Sequence, residues 1–175
     1  ISDAGRPLLV RYDLQSVKSA VAIADLALRP NDIWRYEELL PVPPGAEIVS
    51  LGEHCTPLIP LSRFAAKTDE SELLIKDESR LPNGTASARD LAVAVTMAKA
   101  LGAEHVSIQN FGSDGQTLAA YCSRSGLNST IICSEDTSNN AINEMAFYGA
   151  KIQMVAGPNA RRKNIMVEGV KEHGW

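Results

Sequence analysis

Lys76-Asp77-Glu78-Ser79-Arg80-Leu81-Pro82-Asn83-Gly84-Thr85-Ala86-Ser87-Ala88-Arg89-Asp90 is the stretch whose reading decides the fold. It reads as the end of a buried strand over 73–76, a Pro-Asn-Gly turn, and the first turn of a long helix. Thr85 is the expected N-cap, and residues 86–101 contain neither Gly nor Pro. A strand, a polar turn and a helix N-terminus make a corner where unpaired backbone N–H groups converge. Such a corner suits anions.

Downstream the pattern becomes regular. The helix over 85–101 carries Leu91, Ala92, Val93, Ala94, Val95, Met97, Ala98 and Leu101, apolar or small nearly all round, so it is expected to be buried on most sides. Gly102 ends it, and a strand follows over 105–109. A turn over 110–116 leads into a helix through Leu118, Ala119, Tyr121 and Cys122 that stops at Gly126. A strand over 129–133, a helix over 139–148 stopped by Gly149, a strand over 151–155 and a helix over 161–173 complete the chain. Strands alternating with helices predict βαβ units and a parallel sheet. Right-handed crossovers then place helices on both faces. The fold class is therefore α/β, a three-layer Rossmann-like parallel sheet preceded by an N-terminal arm. Ligands of such sheets sit at the carboxyl ends of the strands, where loops 77–87 and 110–117 are expected to lie side by side.

Upstream, residues 1–50 read as the arm. It holds a short strand over 7–12, a helix over 14–28 ended by Arg29-Pro30, a short helix over 33–40 and a stiff Pro-rich linker over 41–45. Residues 49–61 then turn into the main body, 51–175, whose smaller domain is expected at about 80–157. His54 and Cys55 are adjacent, but neighbours in an extended segment point to opposite faces, so they do not form a nucleophile pair. An acidic bend covers 70–72.

Composition narrows the function. With 175 residues, 45% of them apolar, the chain buries a core of one domain or one and a fraction. A net charge of −4 gives no reason to expect nucleic acid or an anionic membrane as partner. No apolar run reaches membrane-spanning length and no basic leader opens the chain, which implies a soluble cytoplasmic protein. Cys55, Cys122 and Cys133 are too scattered for a disulfide scaffold or a metal cluster, and the last two read as inert core thiols. The chain opens on Ile1, so residues upstream are expected to have been removed or left out.

The focal stretch, taken with what surrounds it, resembles threonine synthase, a fold-type II pyridoxal-phosphate (PLP) enzyme of the tryptophan synthase beta superfamily. That family shows K-D-E-x-x-x-P-T-G-S-F-K-x-R where this chain has 76–89. It also shows P-L-L-V-x-Y-D, W-R-Y-x-E-L-L-P and L-G-E-G-x-T-P-L in the order found here over 7–13, 34–41 and 51–58. The resemblance runs through K-E-H-G-W at the end of the chain and covers roughly the N-terminal half of an enzyme. The family continues for about as many residues again, including its phosphate-cradling loop.

The resemblance implies the site residues. Ser87 stands where the family has the lysine that joins covalently to PLP. Asn83, Thr85 and Ser113 fall on cofactor-binding positions. Arg89, Asn110, Gly112, Asp114 and Thr117 fall on substrate-binding ones, the loop aligning with S-T-G-N-T-S-A-S. Read as local structure instead, Ser113 or Asp114 simply caps the following helix. Serine cannot hold an aldehyde as an imine or shuttle an α-proton, so covalent PLP binding is not expected here. Asp114 repels a substrate carboxylate unless a cation or proton intervenes. The family's zinc leader C-x-x-C-G falls on Ile1, Ser2, Asp3, Ala4 and Gly5, which supply no thiolate or imidazole, so no metal is expected.

Two functions follow. One is a pseudoenzyme with a binding or subunit role. The other is a PLP-dependent lyase converting O-phosphohomoserine to threonine and phosphate, seen as a fragment, with its ligand held non-covalently. Expected partners are a small amino-acid ligand and either another copy or a C-terminal half.

Overall fold

The computed structural model describes residues 6, 9–68 and 71–175. The expected zinc-leader positions 1–5, Pro7, Leu8 and part of the acidic bend lie outside them. Residues 9–12 form no strand, contrary to expectation.

The arm is less regular than its sequence suggests. Asp13 caps helix α1 (Leu14–Ala20) by accepting the backbone N–H groups of Gln15 and Ser16, each at 3.1 Å. The single helix expected over 14–28 breaks at Val21, which is extended (φ −124, ψ 115), and resumes as α2 (Ile23–Leu28). Neither piece buries a residue, so no packing holds a β-branched residue in helical geometry. A 3₁₀ segment, Ile33–Leu39, follows, its first turn held by Asp32 accepting from Trp34 N–H at 2.9 Å. Arg29 grips Glu38 with both guanidinium branches, at 2.8 and 2.6 Å, and ties this segment to the end of α2.

Strand β1 (Leu58–Pro60), helix α3 (Ser62–Thr68) and strand β2 (Leu74–Lys76) come next. The strands pair antiparallel, Leu58 with Lys76, Ile59 with Ile75 and Pro60 with Leu74. This corrects the expected buried strand at 73–76. The two strands form a sheet of their own, and every residue in them is exposed.

Two 3₁₀ turns, Glu78–Arg80 and Pro82–Gly84, lead to helix α4 (Ser87–Ala100). Then β3 (His105–Gln109), α5 (Asp114–Ser125), β4 (Asn128–Ser134), α6 (Asn139–Phe147), β5 (Lys151–Val155) and α7 (Asn159–His173) alternate as the sequence predicts. The three strands make a parallel sheet in the order β3-β4-β5, with His105 opposite Asn128 and Thr130 opposite Lys151. Helices flank this sheet: α5 packs against β3, β4 and α4, α6 against β5, and α7 against β3 and β4. Leu118, Tyr121 and Cys122 of α5, Ile131 and Cys133 of β4, Met145 of α6 and Ala88, Ala92 and Val95 of α4 form one core. Among the described residues no helix is long and apolar enough to cross a membrane.

One buried carboxyl secures the segment that leads from the arm into the body. Glu53 is fully buried, accepts from Ser50 Oγ at 2.7 Å and Leu51 N–H at 2.8 Å, and receives the Tyr121 hydroxyl as a third donor. Val49, beside it, donates its N–H to Thr96 Oγ1 of α4 at 3.0 Å.

Candidate functional site

The turn before α4 is built from its own residues. Buried Leu81 anchors it, and Gly84 N–H returns to Leu81 O at 2.8 Å. Asn83 takes a left-handed conformation (φ 55), which Asn accepts more readily than most residues. Thr85 is extended (φ −138, ψ 145), and its Oγ1 accepts Ser87 N–H at 3.3 Å. Ala86, immediately ahead of the regular helix, already has helical angles and no capping side chain. The capping role therefore falls on Thr85, as its residue type suggests.

The second loop is held just as locally. Asn110 N–H donates to Ile132 O of β4 at 2.9 Å, and Asn110 Oδ1 accepts Gly115 N–H at 2.9 Å. Gly112 sits at φ 68, in the left-handed region that glycine enters without strain. Asp114 opens α5, where free backbone N–H groups favour a carboxylate. Ser113 O accepts both the N–H (3.1 Å) and the hydroxyl (2.9 Å) of Thr117.

The two helix starts meet. Ser87 Oγ donates to Asp114 Oδ1 at 2.6 Å, and Ser113 Oγ donates to Thr85 Oγ1 at 3.0 Å. The expected juxtaposition of the two loops is therefore present, but its expected cause is not. The strand before the first loop is β2, which lies outside the parallel sheet. The loops meet because α4 and α5 pack against each other. Nor does the order β3-β4-β5 reverse direction, so the described sheet has no switch-point crevice.

The remaining candidates disperse. Thr117 is fully buried with its hydroxyl engaged in its own helix. Asn110 and Gly112 line a separate cavity of about 380 Å³ with Phe111 and Gln116. Asn83 donates to Glu144 Oε1 at 3.2 Å and borders another cavity beside Leu51 and Tyr148. Arg89, two residues beyond Ser87, turns the other way. Its Nε donates to Glu78 Oε2 at 2.9 Å, and Nη2 reaches Glu78 Oε1 at 3.3 Å, Thr56 Oγ1 at 3.4 Å and His54 O at 3.3 Å.

That second cluster carries most of the local electrostatics, and residue-by-residue reading missed it. Glu78 also receives the Thr56 hydroxyl, and Lys76 Nζ donates to Thr56 O at 2.7 Å and Oγ1 at 2.5 Å. The Arg89 hydrogen bond, then that of Thr56, holds the Glu78 carboxyl down at about 2, and the same pairing raises the Arg89 guanidinium. Its signal was present in the charged triplet at 76–78, but nothing in the spacing pairs position 78 with 89. His54 and Cys55 do not meet as a pair. His54 Nδ1 contacts Gly52 O at 3.1 Å, while Cys55 Sγ lies 3.9 Å from Arg35 Nη1.

Chemically, the corner formed by Thr85, Ser87, Ser113 and Asp114 offers hydroxyl donors and one carboxylate. The Lys76 amine and the Arg89 guanidinium are both committed to the Thr56–Glu78 cluster. The corner can orient a polar ligand through hydrogen bonds. Nothing in it supplies a nucleophilic amine.

Comparison with known proteins identifies the family. A family model described as "Pyridoxal-phosphate dependent enzyme" matches residues 49–175. The chain is similar to the threonine synthase of Methanocaldococcus jannaschii, at 35% identity over 156 residues, covering 89% of this chain and 38% of that protein. It is also similar to the threonine synthase of Methanosarcina acetivorans, at 29% identity, covering 85% of this chain and 36% of that protein. The chain thus spans little more than a third of the length of these curated relatives. Among solved structures, it superposes on apo diaminopropionate ammonia lyase from Escherichia coli (TM-score 0.59, 16% identity, 73% of this chain and 40% of that one). Serine racemase from Dictyostelium discoideum gives TM-score 0.60 at 20% identity, with 69% of this chain and 39% of that one covered. At these identities the structural likeness speaks for the fold alone.

Proposed function

The chain belongs to the pyridoxal-phosphate dependent enzyme family, and from that premise we propose that it is a threonine-synthase-like protein that does not attach PLP covalently and does not catalyse. On this reading the family scaffold is kept for a binding or subunit role. The observation that carries it is the Ser87–Asp114 hydrogen bond at 2.6 Å. Position 87, which the sequence resemblance sets against the family's lysine, holds a hydroxyl whose proton is engaged by a carboxylate on the facing loop. That carboxylate occupies the place where a substrate's own carboxylate would be received, and like charges repel there. The residues present do not fit a covalently bound PLP. The hydrogen bonds of the corner join hydroxyls and one carboxylate, and the Lys76 amine is engaged elsewhere, with Thr56.

The competing reading keeps PLP-dependent lyase chemistry, with a ligand held non-covalently by Asn83, Thr85, Ser87, Arg89 and loop 110–117. It requires Arg89 to leave Glu78 and Asn83 to leave Glu144, which counts against it.

Incubation with PLP, borohydride reduction and peptide mapping separate the two. The expected result is scattered, substoichiometric labelling of surface lysines with no saturable absorbance band. A saturable band without a lysine adduct would favour the competing reading, and a saturating, one-to-one adduct on a single lysine would overturn the proposal outright.

A further inference from the structure

The start of α7 carries its charges in an order that the helix itself disfavours. Arg161, Arg162 and Lys163 put three cations in succession at the helix N-terminus, and no acid stands in the first turn. The partial positive charge of a helix N-terminus repels cations and attracts anions. Pro158 precedes the helix without a side-chain cap. Among the described residues the N–H groups of Asn159 and Ala160 find no acceptor. This end of α7 lies at the carboxyl end of the parallel sheet, where Gln109, the last residue of β3, donates its side-chain amide to Asn159 O at 3.2 Å. None of these residues takes part in the Ser87–Asp114 corner.

Arg162 supplies a second, independent observation. It is 7% exposed, and its guanidinium folds back over the helix entry, where Nη1 donates to Gly157 O at 3.1 Å and Nη2 to Asn159 Oδ1. Both acceptors are neutral. Its Nε has no partner, and among the described residues no carboxylate forms an ion pair with it. Of the buried polar atoms left without a partner there, this Nε is the one that belongs to a buried residue. A guanidinium does not lose its proton in a protein, and burying its charge without a counter-charge is costly. Residues 157–161 are exposed except for the helical backbone bonds, so a solute reaches the free N–H groups and Arg161.

We propose that the N-terminus of α7 binds a phosphate group. The N–H groups of Asn159 and Ala160 and the Arg161 side chain hold it from the open side. Arg162 exchanges the neutral Gly157 O for one of its oxygens, and Lys163 adds attraction at longer range. Phosphate suits the site better than a carboxylate does. It carries close to two charges and three strong acceptor oxygens, against the single charge of a carboxylate facing three cations. A nucleic acid suits it less well, because this basic cluster is short and the whole chain carries a net charge of −4. The inference does not depend on the reading of position 87, so the two fail separately.

The test is an NMR titration of the chain with inorganic phosphate at pH 8 and constant ionic strength, with acetate and glycerol phosphate in parallel. Saturable shifts are expected, largest at the amides of Asn159, Ala160 and Arg161. Arg162→Gln is expected to weaken binding at least about tenfold, the loss of a charge-assisted hydrogen bond, with the β4 amides unmoved as proof of folding. Arg161→Gln combined with Lys163→Gln changes exposed positions only and is expected to weaken binding by a similar factor while leaving the fold intact. Tighter binding of glycerol phosphate supports an organic phosphate as the ligand, and tighter binding of the inorganic ion supports free phosphate. Absence of saturable shifts at 159–161 overturns the proposal. So does acetate binding as tightly as phosphate, or an affinity that the exposed double variant leaves unchanged.

Discussion

The hydroxyl of Ser87 stands 2.6 Å from Oδ1 of Asp114, a hydrogen bond that joins the first turns of two helices across 27 positions of sequence. Any chemistry proposed for this corner has to pass through that pair.

Replacing Ser87 with lysine alone is not expected to create an active enzyme. The new ammonium would lie against Asp114, and an opposite charge at that range holds an amine protonated, whereas nucleophilic attack needs it neutral. We predict no phosphate release from O-phosphohomoserine by Ser87→Lys supplied with PLP. Measurable release would mean that one residue separates this chain from catalysis.

The same pair should couple in stability. A hydrogen bond to a charged group contributes about 1.5–3 kcal/mol, and partial exposure here places the expected value near the lower end. Ser87→Ala and Asp114→Ala, measured singly and together by denaturant unfolding, are predicted to show a coupling energy of about 1.5 kcal/mol. Strictly additive losses would show the two side chains to be independent.

Stability should fall in acid through Glu78. Its carboxyl is held below its ordinary value of 4.5, at about 2, by Arg89 first and Thr56 second. A depressed folded-state value means the contribution is complete above about 4.5 and disappears as pH falls towards 2. Unfolding curves between pH 6 and pH 2 should show this loss, and Glu78→Gln should flatten it. Arg89→Ala is predicted to cost roughly 1–2 kcal/mol at neutral pH, between the values for exposed and buried pairs.

Gly115 has no room for a side chain. A Cβ there would stand 2.7 Å from Asn110 Oδ1 and Met145 Sδ and 2.8 Å from Ile131 Cγ2. Met145 can yield, but Ile131 in the sheet and Asn110 in its bond to Gly115 N–H cannot easily do so. Gly115→Ala is predicted to cost roughly 1–3 kcal/mol by overpacking. An unchanged melting temperature would show that the loop adapts freely.

Thiol labelling should be selective. Burial pushes the Cys122 thiol up to about 12 and raises that of Cys133, whereas Cys55 is only half-buried. A maleimide at pH 8 is predicted to modify Cys55 in the folded chain and the other two only after unfolding. Rapid labelling of Cys133 would place β4 nearer the surface than its packing indicates.

The parallel half of the fold was legible because its punctuation is local. Strands 105–109 and 151–155 appear with the bounds read from sequence, each set off by turn residues and followed by an amphipathic helix. The β1–β2 pair was not legible, because a short apolar run looks the same in a buried parallel strand and in an open antiparallel one. Whether Val21 continues a helix depended on packing that the arm lacks. Of the candidate site, the meeting of the two loops was expected from two strands of one sheet, whereas it comes from α4 packing on α5. The commitment of Arg89 to Glu78 could not be read, since it depends on which way α4 is rotated.

Glu53 receives its third donor from Tyr121, 68 positions away, and Val49 reaches Thr96 across 47. The strands β3, β4 and β5, by contrast, join neighbours in the chain. Short loops close first, so the time course of folding should be split. The three-stranded core forms early, and segment 49–53 is seated last, because its carboxylate has no buried partner until α5 exists. Unfolding should run in reverse, with the amides of Val49 and Leu51 exchanging with solvent while β4 is still closed.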